Sequence, residues 1–261
     1  MIQDGESMRG GLSTVRRQGE TVLRPWRPWT PAVRELLRHL ERVGFDGAPR
    51  ALGDGPVDGH EVVSLLHGEV GLSPWPRVLL WDEGVVALGR WLRAYHEAVR
   101  DFRPSPRAVW CDPDAHWRPG LIVRHGDLTT WNSVWTDDRL VGVIDWDLAM
   151  PGEALDDLAQ LAWYSVPLRL PDRQRRVGYG AGGAPLARRL RLLCDAYGTR
   201  PADVLDALAR LQREETDRIA RLGPLGADPW ATFLRRNFVP DIEEERAWAM
   251  ARREELLGAF P

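Results

Sequence analysis

The chain contains no lysine: all 35 of its basic residues are arginine. Any cation its chemistry requires must therefore be a guanidinium, which is planar, permanently charged and suited to bidentate contacts. A biased genome composition explains the absence equally well, so it constrains a mechanism without pointing to one. Cysteine is scarce too. Cys111 and Cys194 are too few for a disulfide framework and are not spaced as metal ligands, which points to reduced thiols in a cytoplasmic protein. No stretch approaches the ~18 consecutive apolar residues of a membrane span, and the first twenty residues hold no signal-like apolar run. The expectation is no membrane. Positive charge is not in excess either: the net charge of −3 argues against a nucleic-acid partner.

What the 261 residues do contain is the 44% apolar, 28% charged mixture of a globular protein, arranged in two styles. Residues 14–18 and 20–24 read as two short strands around Gly19. Thr30 and Pro31 open a helical period in Val33, Leu36, Leu37, Leu40 and Val43, predicting a helix over 31–43. Residues 49–53 and 61–66 read as further strands separated by the turn-rich GDGPVDG. From Asp82 the helical period dominates, through Phe102 and again over 155–165, 185–197, 201–221, 228–236 and 241–257. One β-rich island interrupts it: 121–123, 134–135, a turn at 136–139, and 140–144. The glycine- and arginine-rich 173–185 reads as a mobile surface loop. This is an α+β pattern, a small sheet with one helix over residues 1–68 and a larger, mainly helical part over 69–261.

The island holds the chemistry. It carries His125-Gly126-Asp127, Asn132 five residues after that aspartate, and Ile144-Asp145-Trp146-Asp147 beyond. Phosphoryl transfer needs a carboxylate to accept or orient the attacking hydroxyl and hard oxygen ligands for Mg²⁺ bridging the phosphates. Asp127 suits the first task; Asn132 and Asp145 suit the second. Taken singly, Asp127 could be a turn residue and Asp145 the partner of an arginine. Their shared spacing is what argues for a site.

The pattern H-G-D-x-x-x-x-N followed by I-D-W-D resembles the signature of the aminoglycoside phosphotransferase family, the small-molecule branch of the protein-kinase-like fold that includes choline kinases. The resemblance implies a bilobal fold in which 1–68 bind the nucleotide and 69–261 carry the catalytic loop and acceptor site. It implies Asp127 as catalytic aspartate, Asn132 and Asp145 as magnesium ligands, and His125 as the brace of the catalytic loop. The donor would be ATP or GTP, and the acceptor a small-molecule hydroxyl.

The nucleotide side departs from the family pattern. The glycines before the first strand are Gly10 and Gly11, and Arg24, at the end of the second, stands where the usual lysine would be, either clamping the α- and β-phosphates or standing exposed at a strand end, with Glu35 or Glu41 on the helix as its acidic partner. Val62–Gly68 resembles the hinge, so the Ser64 carbonyl and the Leu66 amide would meet the base. Glu214, Glu215, Asp217, Asp241, Glu243, Glu244 and Glu245 make a cationic acceptor such as an aminoglycoside plausible, although interleaved arginines could equally pair them on a solvated helix. Asp147 is open between supporting the metal site and touching the acceptor. A metabolic kinase for a choline-like, sugar or amino-alcohol acceptor and a catalytically silent nucleotide-binding module are the alternatives.

Overall fold

The computed structural model describes residues 6–8, by their backbone alone, and 15–258. In chain order its elements are β1 (Glu6–Met8), β2 (Val15–Gln18), β3 (Thr21–Pro25), α1 (Thr30–Arg42), β4 (Ala51–Val57), β5 (His60–Ser64), β6 (Glu69–Val70), α2 (Arg77–Leu80), α3 (Asp82–Val99), β7 (Ile122–Arg124), β8 (Ser133–Thr136), β9 (Arg139–Val143) and β10 (Met150–Gly152). The helices α4 (Ala154–Ser165), α5 (Pro171–Val177), α6 (Leu186–Tyr197), α7 (Pro201–Leu222), α8 (Trp230–Arg235), α9 (Phe238–Ala251) and α10 (Arg253–Gly258) follow. Two compact units result. The first comprises Met1–Glu69, Ala94–Asp127 and Asn132–Ala154; the second comprises Val70–Arg93, Leu128–Trp131 and Leu155–Pro261.

The first unit is built on a five-stranded antiparallel sheet in the order β1-β2-β3-β5-β4. Alternation decides which residues enter its core. On β5, Glu61 and Val63 are buried while their neighbours are only partly covered, the period of two that a one-sided sheet imposes. Helix α1 buries Val33, Leu36, Leu37 and Leu40, the stripe its spacing predicts. It begins one residue earlier than expected, because the Thr30 hydroxyl accepts from the Arg27 amide and Trp29 takes the N-cap position. Strand β4 also differs, running through GDGPV to Val57 with a register shift between Leu52 and Val57. That irregularity lets glycine and proline sit in a strand where regular pairing would exclude them.

Two small ladders complete this unit. Strand β8 pairs with β9, Ser133 opposite Val143, and β7 pairs with β10, Arg124 opposite Met150. They tie both ends of the segment bearing His125, Asp127 and Asp145.

The second unit is a helix assembly whose core includes Leu88, Leu161, Trp163, Leu193, Leu205, Leu208 and Ile219. Within it Arg189, fully buried, donates to the carbonyls of Leu79, Leu80, Trp81, Ser165 and Val166. Those acceptors include the end of α2, whose last carbonyls have no partner within the helix itself. The sequence expectation of a loop over 173–185 is corrected here: its first residues form α5. Pro171 supplies the first-turn proline of this helix, and Gln174, buried, donates to the Arg169 carbonyl and accepts from the Ala184 amide. The predicted 241–257 helix is two helices, broken at Arg252.

Candidate active site

The chain reverses between β7 and β8 through the His125–Asn132 segment. Gly126 makes this possible: its φ is +80°, and a Cβ there would collide with the Leu148 carbonyl oxygen. His125, fully buried, packs its ring 4.4 Å from that of Trp146. Its Nδ1 accepts from the Asp127 amide at 3.2 Å, which puts the proton on Nε2, 3.2 Å from the Ile144 carbonyl. This neutral tautomer braces the loop. His125 lies two residues before Asp127 and holds that residue's backbone amide.

Asn132 joins the two halves of the site. Its Nδ2 donates to the Asp127 carbonyl at 2.9 Å and to Asp127 Oδ2 at 2.8 Å. Its own carbonyl accepts from the Ile144 amide at 2.8 Å. Asp145 follows Ile144 directly in the chain. Asp145 adopts the left-handed conformation, φ 66° and ψ 66°, which costs an L-residue about 1–2 kcal/mol, although aspartate tolerates it better than most residues. Trp146, buried with its indole donating to the Val143 carbonyl, holds that conformation.

Arg24 reaches the same place. It lies on β3 and is 8% exposed, so it is not the solvent-facing strand-end arginine that the sequence left open. Its Nη2 is 2.6 Å from Asp145 Oδ1 and 2.7 Å from Asp147 Oδ2. The acidic partner is also different. Glu61, opposite Arg24 in the β3–β5 register, places Oε1 3.8 Å from Arg24 Nε. The helix glutamates are engaged elsewhere: Glu35 accepts from the Ser105 amide, and Glu41 pairs with Arg50 at 3.7 Å. A charged residue on the apolar face of HEVVS was the signal for Glu61.

Burial works against the charges of Arg24, Asp147 and Glu61. It would lower the Arg24 pKa, but Asp145, Asp147 and Glu61 outweigh it and hold the guanidinium above its ordinary value. Burial raises the Asp147 carboxyl, opposed chiefly by Arg24. Burial likewise pushes Glu61 up to about 7, again against Arg24; its Oε2 is buried with no hydrogen-bond partner. One guanidinium thus faces three carboxylates.

Among the described residues no group of three or more histidine, cysteine, aspartate or glutamate side chains is arranged to hold a metal ion. Magnesium asks for less, since it is commonly bound by one or two carboxylates together with phosphate oxygens and water. Asn132 and Asp145 are oxygen donors on two segments joined by the Ile144–Asn132 backbone hydrogen bond, and the surplus of carboxylates over guanidinium favours a dication. These residues fit the ion.

Of the remaining sequence candidates, Gly10 and Gly11 lie outside the described residues. Ser64 ends β5, its hydroxyl accepting from the Arg50 amide. Leu66 follows it, with Cδ1 close to Gly142. Trp131 is 41% exposed and meets Tyr164 edge-on at 5.0 Å.

Comparison with known proteins agrees with this geometry. Residues 75–193 match the family described as the phosphotransferase enzyme family, APH. A trifolitoxin immunity protein of Rhizobium leguminosarum bv. trifolii is 36% identical over 197 residues, spanning 72% of each chain. The structure of a spectinomycin phosphotransferase in complex with ADP and spectinomycin is similar at a TM-score of 0.59, with 12% identity over 96% of this chain and 93% of that one. The choline kinase of Cryptosporidium parvum Iowa II gives 0.58, with 12% identity over 98% and 90%. These likenesses establish a kinase-like α+β fold, with an N-terminal antiparallel sheet and a mainly helical C-terminal part. The chain belongs to the APH phosphotransferase enzyme family.

Proposed function

We propose that this protein transfers the γ-phosphoryl group of ATP or GTP to a hydroxyl of a small molecule. The observation that carries the proposal is the Asp127–Asn132–Ile144 chain of hydrogen bonds, which fixes a carboxylate, an amide oxygen and the Asp145 carboxylate within one braced loop. Asp127 orients the acceptor hydroxyl and takes its proton. The acceptor oxygen forms a bond to the γ-phosphorus, the bond from that phosphorus to the diphosphate breaks, and its electron pair leaves with the nucleoside diphosphate. Asp145 and Asn132 would hold Mg²⁺, which supplies neutralisation of phosphate charge. Arg24 takes the place of the usual lysine and sets the orientation of Asp145 and Asp147.

In this reading residues 1–68 bind the nucleotide, with Gly10 and Gly11 over the phosphates and the Ser64 carbonyl and Leu66 amide on the base. Residues 69–261 carry the catalytic loop and the acceptor site. A nucleoside triphosphate donor fits action in the cytoplasm.

An aminoglycoside acceptor rests on the acids of the C-terminal helices, and several of those have partners. Glu215 pairs with Arg218 and accepts from the Trp230 indole, Asp241 pairs with Arg173, and buried Glu245 bonds Arg169 and the Trp163 indole. The interleaved, self-paired arrangement thus gains support over an open acidic surface. A choline-like, sugar or amino-alcohol acceptor keeps its place beside it. The reading as a silent nucleotide-binding module is favoured by one observation, the direct seating of Arg24 on Asp145 and Asp147.

The test is a coupled assay of ADP and GDP release over a panel of cationic, neutral and anionic hydroxy compounds. Acceptor-dependent release that requires magnesium supports the proposal. Nucleotide binding with no release for any acceptor supports the silent module instead.

A further inference from the structure

A cavity of about 180 Å³ lies within the second unit. Its walls include Trp75, Trp131, Tyr164, Arg169, Arg173 and Arg176, and among the described residues no carboxylate lines it. Two of its wall residues, Thr130 and Trp131, immediately precede Asn132 in the chain.

The carboxylates that balance these arginines are spent on part of each guanidinium. Glu245 accepts twice from Arg169 Nε, at 3.0 and 3.1 Å, and the terminal nitrogens of Arg169 make no hydrogen bond among the described residues. Asp241 takes one Nη of Arg173, at 2.7 Å, while Arg173 Nε is buried without a hydrogen bond, 3.7 Å from Asp172 and 3.9 Å from Glu245. Arg176 comes no closer than 3.7 Å to Asp172, and its side chain is 66% exposed. Arg169 also stacks its guanidinium 5.0 Å from the centre of the Tyr164 ring. The terminal nitrogens of Arg169 and the exposed guanidinium of Arg176 match an oxyanion, which planar guanidinium binds in bidentate fashion, with Arg173 between them adding charge. The aromatic wall matches a flat apolar body.

Size points the same way. Pockets for drug-sized ligands occupy roughly 300–1,000 Å³, so this cavity suits a single-ring compound better than a multi-ring sugar. An ammonium-bearing ligand would meet guanidinium and no carboxylate on the wall itself, the paired acids lying behind it.

We propose that the acceptor is a small anionic hydroxy compound whose carboxylate or phosphate is held by Arg169, Arg173 and Arg176 and whose flat body lies against Trp131 and Tyr164. This rests on the phosphotransferase reading for the word acceptor alone; the preference for an anion is a property of the cavity.

Titration calorimetry of the whole protein without nucleotide keeps the two separable. The probes are 4-hydroxyphenylacetate, its neutral amide, tyramine, phenyl phosphate and kanamycin. The acid binds at least tenfold more tightly than the amide and than tyramine, and kanamycin does not compete with it. Phenyl phosphate binding more tightly than the acid assigns the cavity to phosphate monoesters; the reverse assigns it to carboxylates. Arg176→Gln, at an exposed side chain whose loss spares the fold, weakens the acid at least fivefold with unchanged thermal midpoint. Arg175→Gln, next to it but outside the cavity wall, leaves the affinity unchanged. Equal affinity for acid, amide and amine, tighter binding of tyramine or kanamycin, or no binding of any probe overturns the inference. Phosphoryl transfer to other acceptors but to no hydroxy acid overturns the acceptor assignment, whereas anion binding with no transfer to any acceptor of the panel would instead sink the phosphotransferase reading and leave the anion site standing.

Discussion

Arg24 and Asp145, 121 residues apart in sequence, meet at 2.6 Å, so a buried cation of the sheet is bonded directly to a metal-ligand candidate. The same guanidinium bonds Asp147 and neighbours Glu61. Sequence alone allows two roles for such a residue, a phosphate clamp or a dispensable surface charge. The contacts give it a third, the counter-ion of three carboxylates.

Removing that counter-ion therefore reaches the fold as well as the chemistry. Breaking a buried pair by deleting one partner typically costs 3–5 kcal/mol, because the remaining charges are left uncompensated. Arg24→Ala is expected to lower stability by about 3 kcal/mol, or roughly 6–12 °C in thermal midpoint for a chain of this size. Arg24→Lys keeps the charge but not the planar fork, so it falls between wild type and alanine in both midpoint and nucleotide use. Differential scanning calorimetry checks the midpoints, and nucleotide titration checks the rest. An unchanged midpoint in Arg24→Ala would mean that the carboxylates are not organised by this residue.

Glu61 makes stability depend on pH in a defined direction. Burial raises its folded pKa from 4.5 to about 7, so between those values the folded protein holds a proton that the unfolded chain has released. Stability from this group is full below the unfolded value and declines as pH rises through the folded one. Each tenfold change in proton affinity is worth about 1.36 kcal/mol, which makes the contribution on the order of 3 kcal/mol. Glu61→Gln copies the protonated form. Its stability should vary less than that of wild type between pH 5 and pH 8, with the larger relative gain at pH 8 in urea denaturation. Parallel profiles for the two proteins would remove Glu61 from the account.

Much of this was legible from the residues. The 3.6 period of α1, the alternation of the strands and the H-G-D-x-x-x-x-N spacing each follow from short-range rules that one chain obeys by itself. What escaped depends on partners distant in sequence. Glu61 sits 37 residues from Arg24 and opposes it only through strand register. The α5 helix was hidden because glycine and arginine in one stretch read as loop, while its order comes from Gln174 and from the Arg173 pair with Asp241. The break at Arg252 left no glycine or proline to mark it. The arginines of the second-unit cavity were invisible as a set, since their acidic neighbours suggested only a charge-balanced surface.

Gly126 tests the loop geometry. At φ +80°, with a Cβ that would strike the Leu148 carbonyl, Gly126→Ala combines a left-handed penalty of about 1–2 kcal/mol with a backbone collision. The expected outcome is a loss of at least about 2 kcal/mol in denaturant unfolding and turnover falling further than nucleotide affinity, since Asp127 is displaced while the nucleotide contacts proposed for Ser64 and Leu66 are untouched. Wild-type stability in this variant would contradict the assigned turn.

The most direct test of the central claim separates the two aspartates. A metal ligand holds phosphate in both ground and transition states, whereas a residue that receives the hydroxyl proton acts only as the reaction proceeds. Calorimetric binding of ATP and GTP with magnesium, set beside acceptor-dependent nucleoside diphosphate release, should show Asp145→Asn losing both and Asp127→Asn losing release alone, by at least about a hundredfold. Nucleotide affinity in Asp127→Asn as weak as in Asp145→Asn, or undiminished release from Asp127→Asn, would contradict the account.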